Sequence, residues 1–216
     1  YGEIVPKGSL SIPLGSMLPT GYVFQTIGSA EPPIKYCSTD SLGSGIRNVA
    51  AVRCDHKNAD GSTSFDESSS CTYCGIHCDH TAGPDAEQNC AQCKLPLVAS
   101  VAVDGNPLYY AAVETALNYA AALTGTGQVT VTLLHEARLT QALSLGGAAP
   151  IALDLNGNTL YKSGDGEINL AASSGTFTLT DSRDGGSCEV PIVCAAGRSL
   201  IVNSGDWGAV SVKENL

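Results

Sequence analysis

The chain has 216 residues, 43% hydrophobic and 15% charged, which suits a globular protein of one large or two to three small domains. Its formal net charge of −10 excludes nucleic acid and anionic membranes as natural partners, because both attract basic surfaces. Aromatics are scarce, at 6%, while glycines number 24, a balance that favours short strands and tight turns.

No apolar run reaches the roughly 18 residues a membrane span needs. The N-terminus shows no charged-then-apolar signal pattern. The chain opens on Tyr1 and closes on "VSVKENL", with neither an anchor nor a clear stop, so a piece of a longer chain is expected.

Residues 1–50 read as the tail of a preceding β-rich module. They are rich in Gly, Pro and Ser, and "SIPLGSMLPTGYVF" predicts two short strands around a Pro/Gly turn. Cys37 is isolated and reads as a buried or incidental thiol. A strand near Ile46 to Val52 should lead to Cys54.

Residues 51–96 have almost no apolar periodicity and cannot order themselves by burial. The stretch Cys54–Cys93 holds six of nine cysteines and three of four histidines. It resolves into two copies of one pattern, C-D-H followed by C-x-x-C. The first is Cys54, His56, Cys71 and Cys74, and the second is Cys78, His80, Cys90 and Cys93. Zn²⁺ takes four sulfur or nitrogen ligands in a tetrahedron, and a C-x-x-C turn presents two thiolates to one side. Gly75 after the first pair permits the positive φ such a knuckle needs. Each set supplies four protein ligands, so two structural zinc ions are expected, with no open position for catalysis. The duplicated pattern selects His80 and leaves His77 a bystander. Wiring can be sequential or interleaved, and the completeness of each copy favours the sequential form. Disulfides are the rival if the chain is extracellular, although they would give His56 and His80 no role. Seven acidic side chains in this stretch face Lys57 alone, which argues against a nucleic-acid-binding zinc ribbon.

Residues 97–216 change character. "LVASVAVDGNPLYY" predicts a hairpin turning at Asp104-Gly105. "AAVETALNYAAAL" predicts a helix with Val113, Ala116, Leu117, Ala120 and Leu123 on one face and Gly125 as its C-cap. Then strands repeat, starting at Val129, Ile151, Phe177 and Leu200. A repeat of 20–30 residues with strand patterning marks a solenoid, in which each coil's apolar edge is covered by the next. The expected fold is therefore mainly β, a parallel β-helix with a hairpin-plus-helix cap, its core holding Val131, Leu133, Ile151, Leu153, Phe177, Leu179, Leu200 and Val202. Cys188, Val190, Ile192 and Cys194 share parity and should point inward, with both cysteines as free thiols.

An active site is hard to find. Polysaccharide-cleaving solenoids need paired carboxylates on one face of adjacent rungs. Asp154 is expected to point outward, but its counterpart in the next rung is Thr180, so no pair forms. Asp165, Glu167 and Asn169 have a spacing compatible with Ca²⁺ and read more simply as a polar turn. Trp207 is the only tryptophan, thin for a sugar platform.

"VTLLHEARLTQALSL", "PIALDLNGNTLYKS" and "GTFTLTDS" resemble the strand repeats of large multidomain cell-surface proteins of gut Gram-positive bacteria. "CDH…CTYCG…CDH" resembles their Cys/His-rich insertions. The resemblance implies right-handed parallel β-helix units and an extracellular, cell-surface location. "LLHEARLTQAL" departs from that pattern, with His135 and Glu136 in place of an aspartate-containing turn. The expected function is a non-enzymatic structural or adhesive module with structural zinc, whose partner is an unidentified host or cell-wall glycan or protein. The alternative is a β-helix carbohydrate-active enzyme or glycan-binding module.

Overall fold

The computed structural model describes residues 2–4, 21–26, 35–36, 47–58, 60–66, 69–103, 105–125, 127–171 and 175–212. Cys37 and most of the predicted strand pair before Gly21 lie outside the described residues. The chain divides into two compact units, Tyr1–Asp79 with Ala91–Leu95, and His80–Cys90 with Pro96–Leu216.

The first unit contains an antiparallel sheet of β1 (Gly2–Ile4), β2 (Tyr22–Thr26), β3 (Lys35–Tyr36) and β4 (Arg47–Arg53), in the order β1-β4-β2-β3. β4 lies between β1 and β2, opposing Tyr22 with Arg53. It delivers the chain to Cys54, whose N–H donates to the Gly21 carbonyl at 2.8 Å. Val23 and Phe24 of β2 are buried.

The second unit is a β-solenoid. It opens with the antiparallel hairpin β5 (Ala99–Val103) and β6 (Asn106–Tyr110), then the helix α1 (Val113–Ala122). The first coil is β7 (Val129–Leu133), β8 (Ala137–Leu139) and β9 (Ala142–Leu145). Next come β10 (Ile151–Asp154), β11 (Thr159–Lys162) and β12 (Glu167–Leu170). They are followed by β13 (Thr176–Thr180), β14 (Ser187–Cys188) and β15 (Ile192–Cys194). The last coil is β16 (Ser199–Val202), β17 (Asp206–Trp207) and β18 (Val210–Val212). Each coil gives one strand to each of three parallel stacks. Val129 opposes Ile151, Ile151 opposes Phe177 and Phe177 opposes Leu200, the register that the sequence repeat predicts.

The alternation of each strand explains the interior. Val129, Val131 and Leu133 point inward and are buried, and Phe177 and Leu179 do the same two coils on. Cys188, Val190, Ile192 and Cys194 are all buried, although the chain turns a corner at Pro191, so the two cysteines belong to different stacks. The first coil is covered by β5, which pairs antiparallel with β7. Helix α1 adds Val113, Ala116, Leu117 and Ala120 to the same apolar cluster.

Three expectations need correction. Leu200 is only half-buried and Val202 is 52% exposed, because no further coil among the described residues covers β16. The helix stops at Ala122, and Leu123 adopts an extended conformation (φ −70°, ψ 136°), so Gly125 is not its cap. Asp154 is not exposed to solvent: it is buried at the end of β10, where the chain turns the corner and supplies N–H groups to its carboxylate.

Candidate metal centres

Two groups of metal-capable side chains converge among the described residues, and both lie in the Cys/His stretch. Cys78, His80, Cys90 and Cys93 have ligand atoms within 4.8 Å of one another, and so do Cys54, Cys71 and Cys74. All seven are buried. The groups follow the sequential wiring. His56 is in neither, and its ring stands edge-on to Phe65 with centroids 5.0 Å apart. His77 joins neither group.

The two loops share one backbone design, visible in paired features 19 residues apart. Phe65 bridges Cys71 as Pro84 bridges Cys90, and Ser70 bridges His77 as Asn89 bridges Pro96. The Asp66 carboxylate accepts from the Ser70 N–H at 3.0 Å, and Asp85 accepts from Asn89 at 2.9 Å. The residue after each C-x-x-C is left-handed, Gly75 at φ 69° and Lys94 at φ 62°. Only the first copy has the glycine for which this conformation is free of strain. The C-D-H triplets lie 24 residues apart, because the first spacer is five residues longer, yet both end the same way, with His56 at φ 59° and His80 at φ 58°.

The scheme also shows where the repeat ends. The Cys78 N–H donates to the Ser69 carbonyl, and the Leu97 N–H donates to the Gln88 carbonyl, its counterpart. Leu97 thus occupies the position of a third C-D-H cysteine. It is fully buried, and the solenoid begins there. Sequence reasoning missed this hand-over, although the 19-residue offset was available to find it.

The geometry suits a shared cation. Cys54 Sγ and Cys71 Sγ are 3.7 Å apart. A disulfide needs about 2.05 Å. A tetrahedral ion with sulfur at about 2.3 Å separates its ligands by about 3.8 Å. None of the six cysteines of the two groups is in a disulfide. The His56 N–H donates to Cys54 Sγ at 3.4 Å, and the Ser64 hydroxyl lies 3.3 Å from Cys71 Sγ. Ser64 is itself buried, and no spacing rule pointed to it.

Burial acts on all three thiols of the first group. It pushes Cys54 up to about 12 and raises Cys74. Burial raises Cys71 as well, but the Ser64 hydroxyl and the N–H groups of Cys74 and Tyr73 outweigh it and hold this thiol below its ordinary value. Metal loading must therefore displace protons, so affinity falls as pH falls.

The other sequence candidates do not assemble into a site. Asp154 and Asp181 are buried, and their carboxylates are taken up by backbone N–H groups. Glu167 accepts from Asn169 at 2.7 Å; both lie on the half-buried face of β12, a strand where the sequence suggested a polar turn. Asn156 and Asn158 both donate to the Leu133 carbonyl, tying one coil to the previous one.

Fold and clusters define a capped β-solenoid preceded by a tandem Cys/His segment able to hold metal ions. Compared with models of protein families, with curated proteins and with solved structures, the chain finds no match. Among the described residues no helix is long and apolar enough to cross a membrane.

Proposed function

We propose that the chain is a non-enzymatic structural or adhesive module of a bacterial surface protein, with two structural zinc ions ordering its Cys/His segment. The observation that carries this reading is the convergence of Cys78, His80, Cys90 and Cys93, all buried, in a loop with no apolar core of its own. A sulfur-rich set with one imidazole suits Zn²⁺ over Mg²⁺ or Ca²⁺, which prefer oxygen. In so polar a segment the binding free energy of the metal becomes folding free energy. The solenoid serves as a rigid spacer whose lateral faces meet a glycan or protein of the host or cell wall. The surface location rests on the resemblance of its repeats to those of bacterial surface proteins.

Metal analysis of the purified chain tests the first half. Two zinc ions per chain, retained in native and lost in denaturing mass spectrometry, are expected. Eight metal-free positions with disulfide-bonded cysteines would overturn it. Incubation with a panel of glycans tests the second half, where binding without turnover is expected and cleavage would move the chain to the enzymes.

A further inference from the structure

The two clusters are built on one duplicated loop, yet they do not end alike. Among the described residues, the second brings together three sulfurs and an imidazole, and the first three sulfurs. His56 and His80 share the same left-handed φ, although the first copy places fourteen residues between its histidine and Cys71 and the second nine between His80 and Cys90. The two rings also differ in what surrounds them. Phe65 presents its ring to His56 at an interplanar angle of 89°, and its counterpart in the second copy is Pro84, which has no aromatic ring. Gln92, in the second C-x-x-C turn, brings its amide to the other side and donates from Nε2 to His56 Nδ1 at 3.4 Å. His56 therefore forms one wall of a cleft of about 430 Å³ lined also by Lys57, Thr63, Gln92 and Lys94. The sequence of the two copies differs accordingly, with a Phe against a Pro at one position of the repeat and a spacer five residues longer in the first copy.

We propose that the first cluster is a three-thiolate metal site whose fourth coordination position is left to a small exogenous donor, while the second is closed by its own histidine. This rests on reading both clusters as zinc sites. An ion held by three protein ligands keeps one position for water or another monodentate ligand, whereas four protein ligands leave none. Cys54, Cys71 and Cys74 supply the three, and the Ser64 hydroxyl and His56 N–H steady two of the sulfurs. Phe65 and Gln92 hold the imidazole off the ion. The chemical class that fits the fourth position is a small monodentate nitrogen or sulfur donor, which matches the softness of the sulfur set.

The test uses the full-length chain loaded with Co²⁺, whose visible spectrum reports its donor set, and imidazole as the probe ligand. With two cobalt ions bound, added imidazole should shift half of the ligand-field absorption toward the bands of the second site. His56→Ala should still bind two ions, with less than about a twofold change in affinity. His80→Ala should cost the second ion at least about 100-fold, since removing a group that merely orients a ligand already costs about 10–100-fold. The paired variant Phe65→Pro with Gln92→Ala should release the ring, close the first site and abolish the response to imidazole. If His56→Ala loses one ion or removes a nitrogen donor from the spectrum, His56 is a ligand and the proposal fails. Two bound ions with no response to imidazole overturn it as well. A chain that binds no cobalt or zinc overturns instead the zinc reading on which it rests.

Discussion

Asp154 and Asp181 clamp neighbouring coils of the solenoid reciprocally. Asp154 Oδ1 accepts from Asn156 N in its own coil and from Ser182 N in the next, both at 2.9 Å. Asp181 Oδ1 accepts from Gly157 N in the previous coil at 2.6 Å, and Oδ2 from Gly186 N in its own at 2.7 Å. Hydrogen bonds to an ionised acceptor are worth about 1.5–3 kcal/mol each, and an orphaned buried N–H adds its own penalty. Asp181→Ala should therefore destabilise the solenoid by about 3 kcal/mol, and Asp181→Asn by about half of that, measured by urea unfolding of the full chain. Glu167→Gln, at the half-buried start of β12, keeps an acceptor for Asn169 and should lie within about 0.5 kcal/mol of the parent. Equal stabilities for the two Asp181 variants and the parent would show that the clamp contributes nothing.

The last coil makes a second test. Val131 is fully buried and Val202 is 52% exposed, although they hold equivalent places in the repeat. Val131→Ala should cost about 2 kcal/mol, through lost burial and a cavity, and Val202→Ala less than about 0.5 kcal/mol. A large cost at Val202 would mean that a further partner covers β16 in solution.

Cys188 gives the solenoid a pH limit. Its thiol donates to the Val190 carbonyl at 3.6 Å, and burial pushes its pKa up to about 11 from an ordinary 9.0. The folded state thus holds the proton more tightly than the unfolded state. The stabilisation is complete below about pH 9 and is lost as pH rises through about 11, amounting to about 2–3 kcal/mol over two units. Thermal midpoints of the full chain should fall across that window, and Cys188→Ala should flatten the fall. An unchanged slope in the variant would remove Cys188 as its cause.

Chelation should divide the chain. The Cys/His segment lacks apolar periodicity, whereas the solenoid has its own apolar cluster. With chelator, limited proteolysis should cut within residues 54–93 and spare 97–212. His80→Ala should loosen the second loop but not the first, and His77→Ala neither. Equal digestion of both regions would show that they unfold as one cooperative body. The same segment should release its metal on acidification, as protons reclaim the thiolates.

Much of this protein was legible in its sequence because it repeats. Apolar residues at alternate positions, recurring from Val129 to Ile151, Phe177 and Leu200, fix both the strand faces and the stacking register, since each coil can bury its edge only against the equivalent strand of another. The duplicated C-D-H and C-x-x-C patterns likewise mark the ligand positions, because ligand spacing is a local property of the chain. What the sequence could not decide is anything set by a neighbour distant along it. Asp154 reads as a solvent-facing residue, and only the arrival of Ser182 from the next coil makes it a buried clamp. Arg198 carries no local signal, yet it is buried and its Nη1 donates to the carbonyls of Leu145 and Ala171, two successive coils away. His56 and His80 hold the same place in the pattern and share the same left-handed φ. Phe65 and Gln92, brought to one ring by the folding of the loops, set them apart. Periodicity determines which residues face inward, and only tertiary contact decides what each of them meets.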